Sequence, residues 1–142
     1  MTTHSDQKLE LLGRSPFLAG LGRKDLEEVG RLAEEVDLPA GKVLMHQGDL
    51  GREFYVIISG TVDIVRDGKH VRSMGPGEFF GDIALVTERP RTATVTVTSD
   101  ARFLVLGHRE FHSLMEQFPS IRLGVLESIA NRLRALEPDS VH

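Results

Sequence analysis

Among its 142 residues the chain has no cysteine. Disulfides, zinc ribbons and thiol nucleophiles are therefore excluded, and the composition suits a reducing compartment. Long apolar runs are missing too. The longest, such as Tyr55–Ile58, fall far short of the roughly 20 residues that cross a bilayer. Met1–Lys8 is polar and has no apolar core segment, so no secretory signal peptide is read there. A basic surplus is also absent: 17 Lys and Arg face 21 Asp and Glu, for a formal net charge of −4. Binding to duplex DNA draws most of its affinity from neutralising phosphates, so this balance argues against direct DNA binding. It does not argue against a single arginine holding one small phosphate. With no membrane segment, the expected location is the cytoplasm.

What is present is ordinary for a globular domain, with 40% hydrophobic and 27% charged residues. One domain of this length buries roughly two thirds of its unfolded surface. Residues 1–14 are expected to be an N-terminal tail or frayed helix, and 137–142 a C-terminal tail. Ser15-Pro16 opens the packed region, with Phe17, Leu18 and Leu21 packing under the segments C-terminal to them. From Lys24 the positions Leu26, Val29, Leu32, Ala33 and Val36 follow helical spacing, with Glu27, Glu28, Glu34 and Glu35 on the other face. Leu38-Pro39-Ala40-Gly41 closes that helix with a turn.

The pattern then changes to short β-prone runs: Val43–Met45, Phe54–Ile58, Thr61–Val65, Val71–Met74, Thr92–Val97 and Phe103–Leu106. Glycine-rich turns separate them, and Asp67-Gly68 between two runs is a hairpin signal. Many short strands at regular spacing predict an antiparallel sandwich or barrel of eight or so strands. Helix returns from about 108, first over His108–Phe118 and then, past Pro119, over Ser120–Leu136. The stripe Ile121, Val125, Leu126, Ile129 and Leu133 in the second helix reads as core or dimer packing.

The chemistry concentrates in Gly77–Val95. Glycines interrupt the strands, Asp82–Val86 forms a short apolar helical turn, and Pro90-Arg91 leads into the next strand. Free amides at a helix start and an arginine fork together make a phosphate cradle. Gly81 lets the backbone pass close to a ligand.

This run, Phe80-Gly81-Asp82-Ile83-Ala84-Leu85 with a spacer and then Arg91-Thr92-Ala93, resembles the phosphate-binding cassette of cyclic nucleotide-binding domains. Leu38–Gly41, Gln47-Gly48-Asp49 and Phe54–Gly60 resemble that family's preceding strands and turns, so the likeness covers about Ser15–Leu136. The resemblance implies an α+β fold, an eight-stranded antiparallel jelly-roll barrel (cupin-like) flanked by N-terminal and C-terminal helices. It implies that 15–136 is one cyclic nucleotide-binding domain. By the same likeness Arg91 pairs with the phosphate oxygens, and the amides of Ala84 and Leu85 donate to them. Gly81 turns beside the ribose, while Thr92 donates to the phosphate or to a guanine base. Ile83 and Ala93 complete the ligand-binding set. Asp82 stands where the family usually has a glutamate on the ribose 2′-hydroxyl. Being one methylene shorter, it is expected to reach that hydroxyl weakly or through water. Val62, Val71 and Met74 are candidates for the wall against the base.

Other patterns read as ordinary structure. Gly75-Pro76-Gly77 lacks the Rossmann spacing and is a loop. Arg89 reads as exposed. His108 and His112 have two-histidine metal spacing but no third ligand, which makes a capping or surface role the better reading. Ser59 and Thr61 lack a surrounding His and acid constellation. Glu78 and Asp82 read as ligand-binding carboxylates before an acid–base pair. No catalytic residue, metal or cofactor is expected. The expectation is a non-enzymatic sensor for cAMP, with cGMP as the other candidate, that signals by repositioning its last helix. Its output goes to an unidentified effector protein or through a homodimer. No DNA-binding module is seen before the chain stops. The alternative is an interaction module that keeps the fold without the nucleotide; a nucleotide-hydrolysing enzyme is the weaker third reading.

Overall fold

Two long strands carry the architecture, and their side-chain alternation explains it. The computed structural model describes residues 4–136. Six strands, β1 (Glu34–Leu38), β2 (Val43–Met45), β3 (Glu53–Arg66), β4 (Lys69–Met74), β5 (Phe79–Phe80) and β6 (Thr94–Gly107), lie between helices α1 (His4–Leu12) and α2 (Arg23–Leu32) and helices α3 (His108–Gln117) and α4 (Pro119–Ala135). They pair antiparallel in the order β1-β6-β3-β4, with β2 also on β6 and β5 also on β3, and wrap into a jelly-roll-like barrel.

Each long strand contains two of the expected short runs, which reconciles six strands with the expected eight or so. β3 joins Phe54–Ile58 to Thr61–Val65 across Gly60, where the ladder with β6 shifts register. Gly60 has φ +88, and a Cβ there would come within 2.6 Å of Asp100 O. Only glycine makes this bend without strain. The Asp67-Gly68 hairpin forms as expected, both residues having positive φ (52 and 75) as a type I′ turn requires.

The run Phe54–Ile58 is apolar throughout because both of its faces are covered. Phe54 and Val56, with Leu104 and Leu106 of β6, face a cluster made with Leu12, Leu18, Val29, Phe111, Ile121 and Val125 of the helical layer. Ile57, with Val62, Phe80, Val95, Val97 and Phe103, fills the barrel interior. Among the described residues, no helix is long and apolar enough to cross a membrane.

Three expectations need correction. Over its described part the start of the chain is neither a tail nor a frayed helix: α1 buries Leu9, Leu11 and Leu12, the last completely, and Leu11 and Leu12 join the helical cluster. Three leucines within a polar stretch suffice to anchor it. Met1–Thr3 and the expected tail 137–142 lie outside the described residues. Helix α2 ends at Leu32, and Val36 belongs to β1, where Glu34–Leu38 pairs residue by residue with Ala101–Val105. Strand pairing overrides the helical preference of the Glu-rich segment. The expected α4 stripe also divides. Ile121 and Val125 are buried, whereas Leu126 and Leu133 are 58% and 60% exposed. The inner face of α4 is set by close backbone approach: Gly20 N–H donates to Ser128 Oγ at 2.8 Å, and a Cβ on Gly124 would lie 2.5 Å from Leu21 Cδ2.

Candidate functional site

A cavity of about 410 Å³ opens between the β3–β4 hairpin, the 89–93 segment, α4 and a short 3₁₀ helix, Asp82–Leu85. It gathers Gly81, Asp82, Ile83, Ala84, Arg91, Thr92 and Ala93, together with Val71 and Met74. Val62 is not among its lining residues: fully buried, it belongs to the barrel interior. Its neighbour two positions on, Ile64, lines the cavity instead, with Met45 and Val95.

Arg91 is the best-fixed charge here. Its side chain is only 8% exposed, and Nη2 donates to Glu53 O at 2.7 Å while lying 3.8 Å from Glu53 Oε2. The guanidinium threads between two glycines. A Cβ on Gly81 would fall 2.7 Å from Arg91 Nη1 and 2.7 Å from Glu53 O, and one on Gly51 would fall 2.8 Å from Arg91 Cζ. Gly81 also needs its left-handed backbone, φ +77, to start the 3₁₀ helix. Burial lowers the Arg91 pKa from its ordinary value, with Tyr55 and Glu53 opposing. One of the five N–H donors is spent on Glu53 O; the rest have no hydrogen-bond acceptor among the described residues. The Arg91 segment is itself anchored, its amide donating to Asp49 O at 2.7 Å and its carbonyl accepting from Gly48 N at 2.8 Å.

Asp82 lines the same cavity beside α4. Its side chain is 14% exposed and pairs with Arg132 Nη1 of α4 at 3.2 Å. Burial pushes the Asp82 carboxyl above its ordinary value, against the pull of Arg132 and of the backbone amides of Asp82 and Ile83. Arg132 also lies 4.9 Å from the centroid of the Phe17 ring, a cation–π distance. The cassette, the last helix and the N-terminal segment thus meet at one guanidinium.

The remaining cassette residues differ in exposure and in bonding. Thr92 is exposed at the mouth, and its carbonyl accepts from Arg66 Nε at 3.1 Å. Ile83 is 49% exposed, whereas Ala84 and Ala93 are buried. The Ala84 amide, expected on a phosphate, instead donates to Gly81 O at 3.0 Å, because the 3₁₀ turn satisfies its own donors. Phosphate contact there requires a shared or reopened bond. Glu78 is not brought to Asp82; it accepts from Gly75 N at 2.7 Å and pairs with Arg72.

His108 is more than a cap. Its Nδ1 donates to Ala84 O at 2.5 Å and its ring lies 4.1 Å from that of His112, tying α3 to the cassette. A Ser73–His70–Asp63 cluster on the β3–β4 face does not form a catalytic triad. One histidine nitrogen, Nε2, is 3.4 Å from both Ser73 Oγ and Asp63 Oδ1, and Ser73 donates directly to Asp63. A triad needs nucleophile and acid on opposite ring nitrogens. A larger cavity, about 590 Å³, lies among Glu34, Arg52, Glu53, Glu88 and Glu110 and includes none of the predicted ligand-binding residues.

Gly51, Glu53 and Arg132 also shape the candidate site, and the sequence does not announce Glu53 or Arg132. Glu53 contributes through its backbone, which no residue type signals, and Arg132 arrives from 50 residues away. For Gly51 a signal exists in the turn Asp49-Leu50-Gly51, whose amide at Gly51 bonds Arg89 O.

Comparison with known proteins agrees with this geometry. A family model described as the cyclic nucleotide-binding domain matches residues 35–118. A cAMP-dependent protein kinase regulatory subunit of Hypocrea atroviridis is 32% identical over 85% of this chain and 24% of its own length. A cyclic AMP receptor protein of Thermus thermophilus is 30% identical over 84% of this chain and 58% of its own. The chain therefore spans between about a quarter and three fifths of these curated relatives. Among solved structures, the N-terminal domain of a transcriptional regulator from Streptomyces coelicolor A3(2) superposes with a TM-score of 0.80 at 33% identity, over 88% of this chain and 91% of that one.

Proposed function

Since the chain belongs to the cyclic nucleotide-binding domain family, we propose that it is a non-enzymatic regulatory module that binds a 3′,5′-cyclic nucleotide in the arginine-lined cavity. The observation that carries this reading is Arg91, buried between Gly51 and Gly81 with most of its donors unspent. A preformed, desolvated fork is what a phosphate diester monoanion needs. The names of the relatives favour cAMP, and cGMP is the alternative. Gly81, Asp82, Ile83, Ala84, Arg91, Thr92 and Ala93 form the binding set, with Ile64, Val71 and Met74 as the apolar wall.

The Asp82–Arg132 pair supports signalling through α4. A ribose hydroxyl bonded to Asp82 competes with Arg132, so the ligand prefers an arrangement in which the end of α4 has moved. A ligand shifts a population only through such differential contact. Leu123, Leu126, Ala130 and Leu133 lie at alternating three- and four-residue steps on the exposed side of α4, the spacing of a coiled-coil seam. A homodimer through this face is the proposed partner arrangement, and an effector chain is the other. Light scattering tests it: Leu126→Asp with Leu133→Asp should leave a monomer, and an unchanged mass removes the α4 seam.

The commitment of the Ala84 amide to Gly81 and of Asp82 to Arg132 favours a second reading, an interaction module that keeps the fold and binds no nucleotide. Calorimetry with cAMP and cGMP decides between them. Saturable heat with either supports the sensor; no heat and no thermal shift with either at millimolar concentration leaves the interaction module.

A further inference from the structure

The cavity holds more positive charge than one cyclic phosphate can use. Five of the chain's thirteen arginines line it, namely Arg66, Arg72, Arg89, Arg91 and Arg132, against a single carboxylate, Asp82. This happens in a chain whose acids outnumber its bases. Arg72 is neutralised by Glu78, Arg132 by Asp82, and Arg91 lies near Glu53. Arg66 and Arg89 have no carboxylate partner among the described residues.

An exposed arginine is ordinarily only a solvated side chain. Here Arg66 is tied by its guanidinium to the segment that carries Arg91, and Arg89 belongs to that segment. Arg66 Nε is bonded to Thr92 O at 3.1 Å, next to Arg91 in sequence. Arg89 lies two residues before Arg91, its carbonyl held by Gly51 N at 2.8 Å. All three line one cavity, and like charges gathered in one pocket repel one another less when an anion joins them. A cyclic mononucleotide brings one negative charge, which Arg91 takes.

We propose that Arg66 and Arg89 form a second phosphate subsite beside Arg91, fitting the cavity for a nucleotide that carries two phosphodiester groups. The inference rests on the nucleotide reading above and names the class of ligand. A mononucleotide occupies the Arg91 end alone; a ligand with a second diester reaches the mouth at Thr92.

Calorimetric titration of the whole chain with cAMP, cGMP and the cyclic dinucleotides of adenine and guanine tests it. At least one dinucleotide is expected to bind about tenfold or more tighter than the better mononucleotide, the effect of one added charge-assisted contact. Arg66→Ala/Arg89→Ala should abolish that advantage, lowering dinucleotide affinity about tenfold more than mononucleotide affinity. Arg102→Ala/Arg109→Ala, which removes the same charge elsewhere, should preserve it. The second subsite is overturned if mononucleotides bind and dinucleotides bind no tighter. It is equally overturned if the Arg66/Arg89 variant weakens both classes alike, or if the control variant removes the advantage. If none of the four ligands binds, the nucleotide reading itself falls, and this inference with it.

Discussion

Arg91 and Asp82 line one cavity from positions nine apart in the chain, but different kinds of structure hold them. Arg91 is fixed by backbone: Glu53 O, the Asp49 and Gly48 bonds on either side of its peptide unit, and two glycines that leave it a slot. Glu53 begins β3, and the rest lie in the turns next to the strands. Asp82 is tied to α4 by one side chain, and that Arg132 is itself 44% exposed; otherwise, among the described residues, only the amides of Asp82 and Ile83 reach its carboxylate. Breaking the Arg91 arrangement means deforming strands, whereas breaking the Asp82 pair means rotating a guanidinium. On the proposed function, the phosphate end is therefore built for affinity and the ribose end is built to yield. Local stability commonly divides this way, with moving parts drawn from the weakly held end.

The comparison breaks most decisively at Arg91. Arg91→Ala is expected to lower cyclic nucleotide affinity on the order of 100-fold or more, as removal of a buried charged partner does. Arg91→Lys should recover little, because a point charge cannot replace the fork. Calorimetry reads both; a loss smaller than about threefold would place the phosphate elsewhere.

The two glycines sharpen the same point with a smaller effect. Gly81→Ala meets both Glu53 O and Arg91 at 2.7 Å in a left-handed backbone. It should cost about 1–2 kcal/mol of stability and about tenfold in affinity. Gly51→Ala meets only Arg91 side-chain atoms, so affinity should fall with little change in melting temperature. Equal stability loss in both variants would mean that the slot is a folding feature only.

How much of this is legible in the sequence depends on distance along the chain. The Asp67-Gly68 turn, the Gly81 start of the 3₁₀ helix and the alternating start of β6 at Thr94–Val97 are local, and residue type alone announces them. The bend of β3 at Gly60 reads as a strand boundary because a glycine with positive φ and a chain break look alike in one dimension. Val36 reads as helical since helical spacing cannot reveal the β6 partner that captures it. Leu126 and Leu133 share a stripe with Val125 on the helical wheel, although Gly20, Gly124 and Ser128 decide which side of α4 packs. Arg132 is invisible for the same reason: nothing near it in sequence points to Asp82.

At the ribose end the expected change in affinity is small and the change in coupling large. Arg132→Ala should alter cyclic nucleotide affinity less than about fivefold, in the range of a partly exposed ion pair. In the wild type, ligand should speed amide exchange in the last turns of α4. In the variant those turns should exchange fast already and respond little to ligand. A full ligand response in Arg132→Ala would show that α4 is not governed from Asp82.

The smallest effect is electrostatic, and its sign is specific. Burial holds the folded-state Asp82 carboxyl above the ordinary value, despite Arg132. A raised folded value means that the folded protein binds this proton more tightly than the unfolded chain. The neutral carboxyl therefore contributes stability that is complete below the unfolded value and lost as pH rises through the folded one. Asp82→Asn, fixed in the neutral form, should melt about 1–2 °C above the wild type near neutral pH and coincide with it in acid below the carboxylate range. Acidification should also release Arg132, so the wild-type α4 turns at low pH should exchange as the Arg132→Ala variant does at neutral pH. If Asp82→Asn melts lower at neutral pH, the ion pair outweighs the burial, and the ribose end is fastened as firmly as the phosphate end.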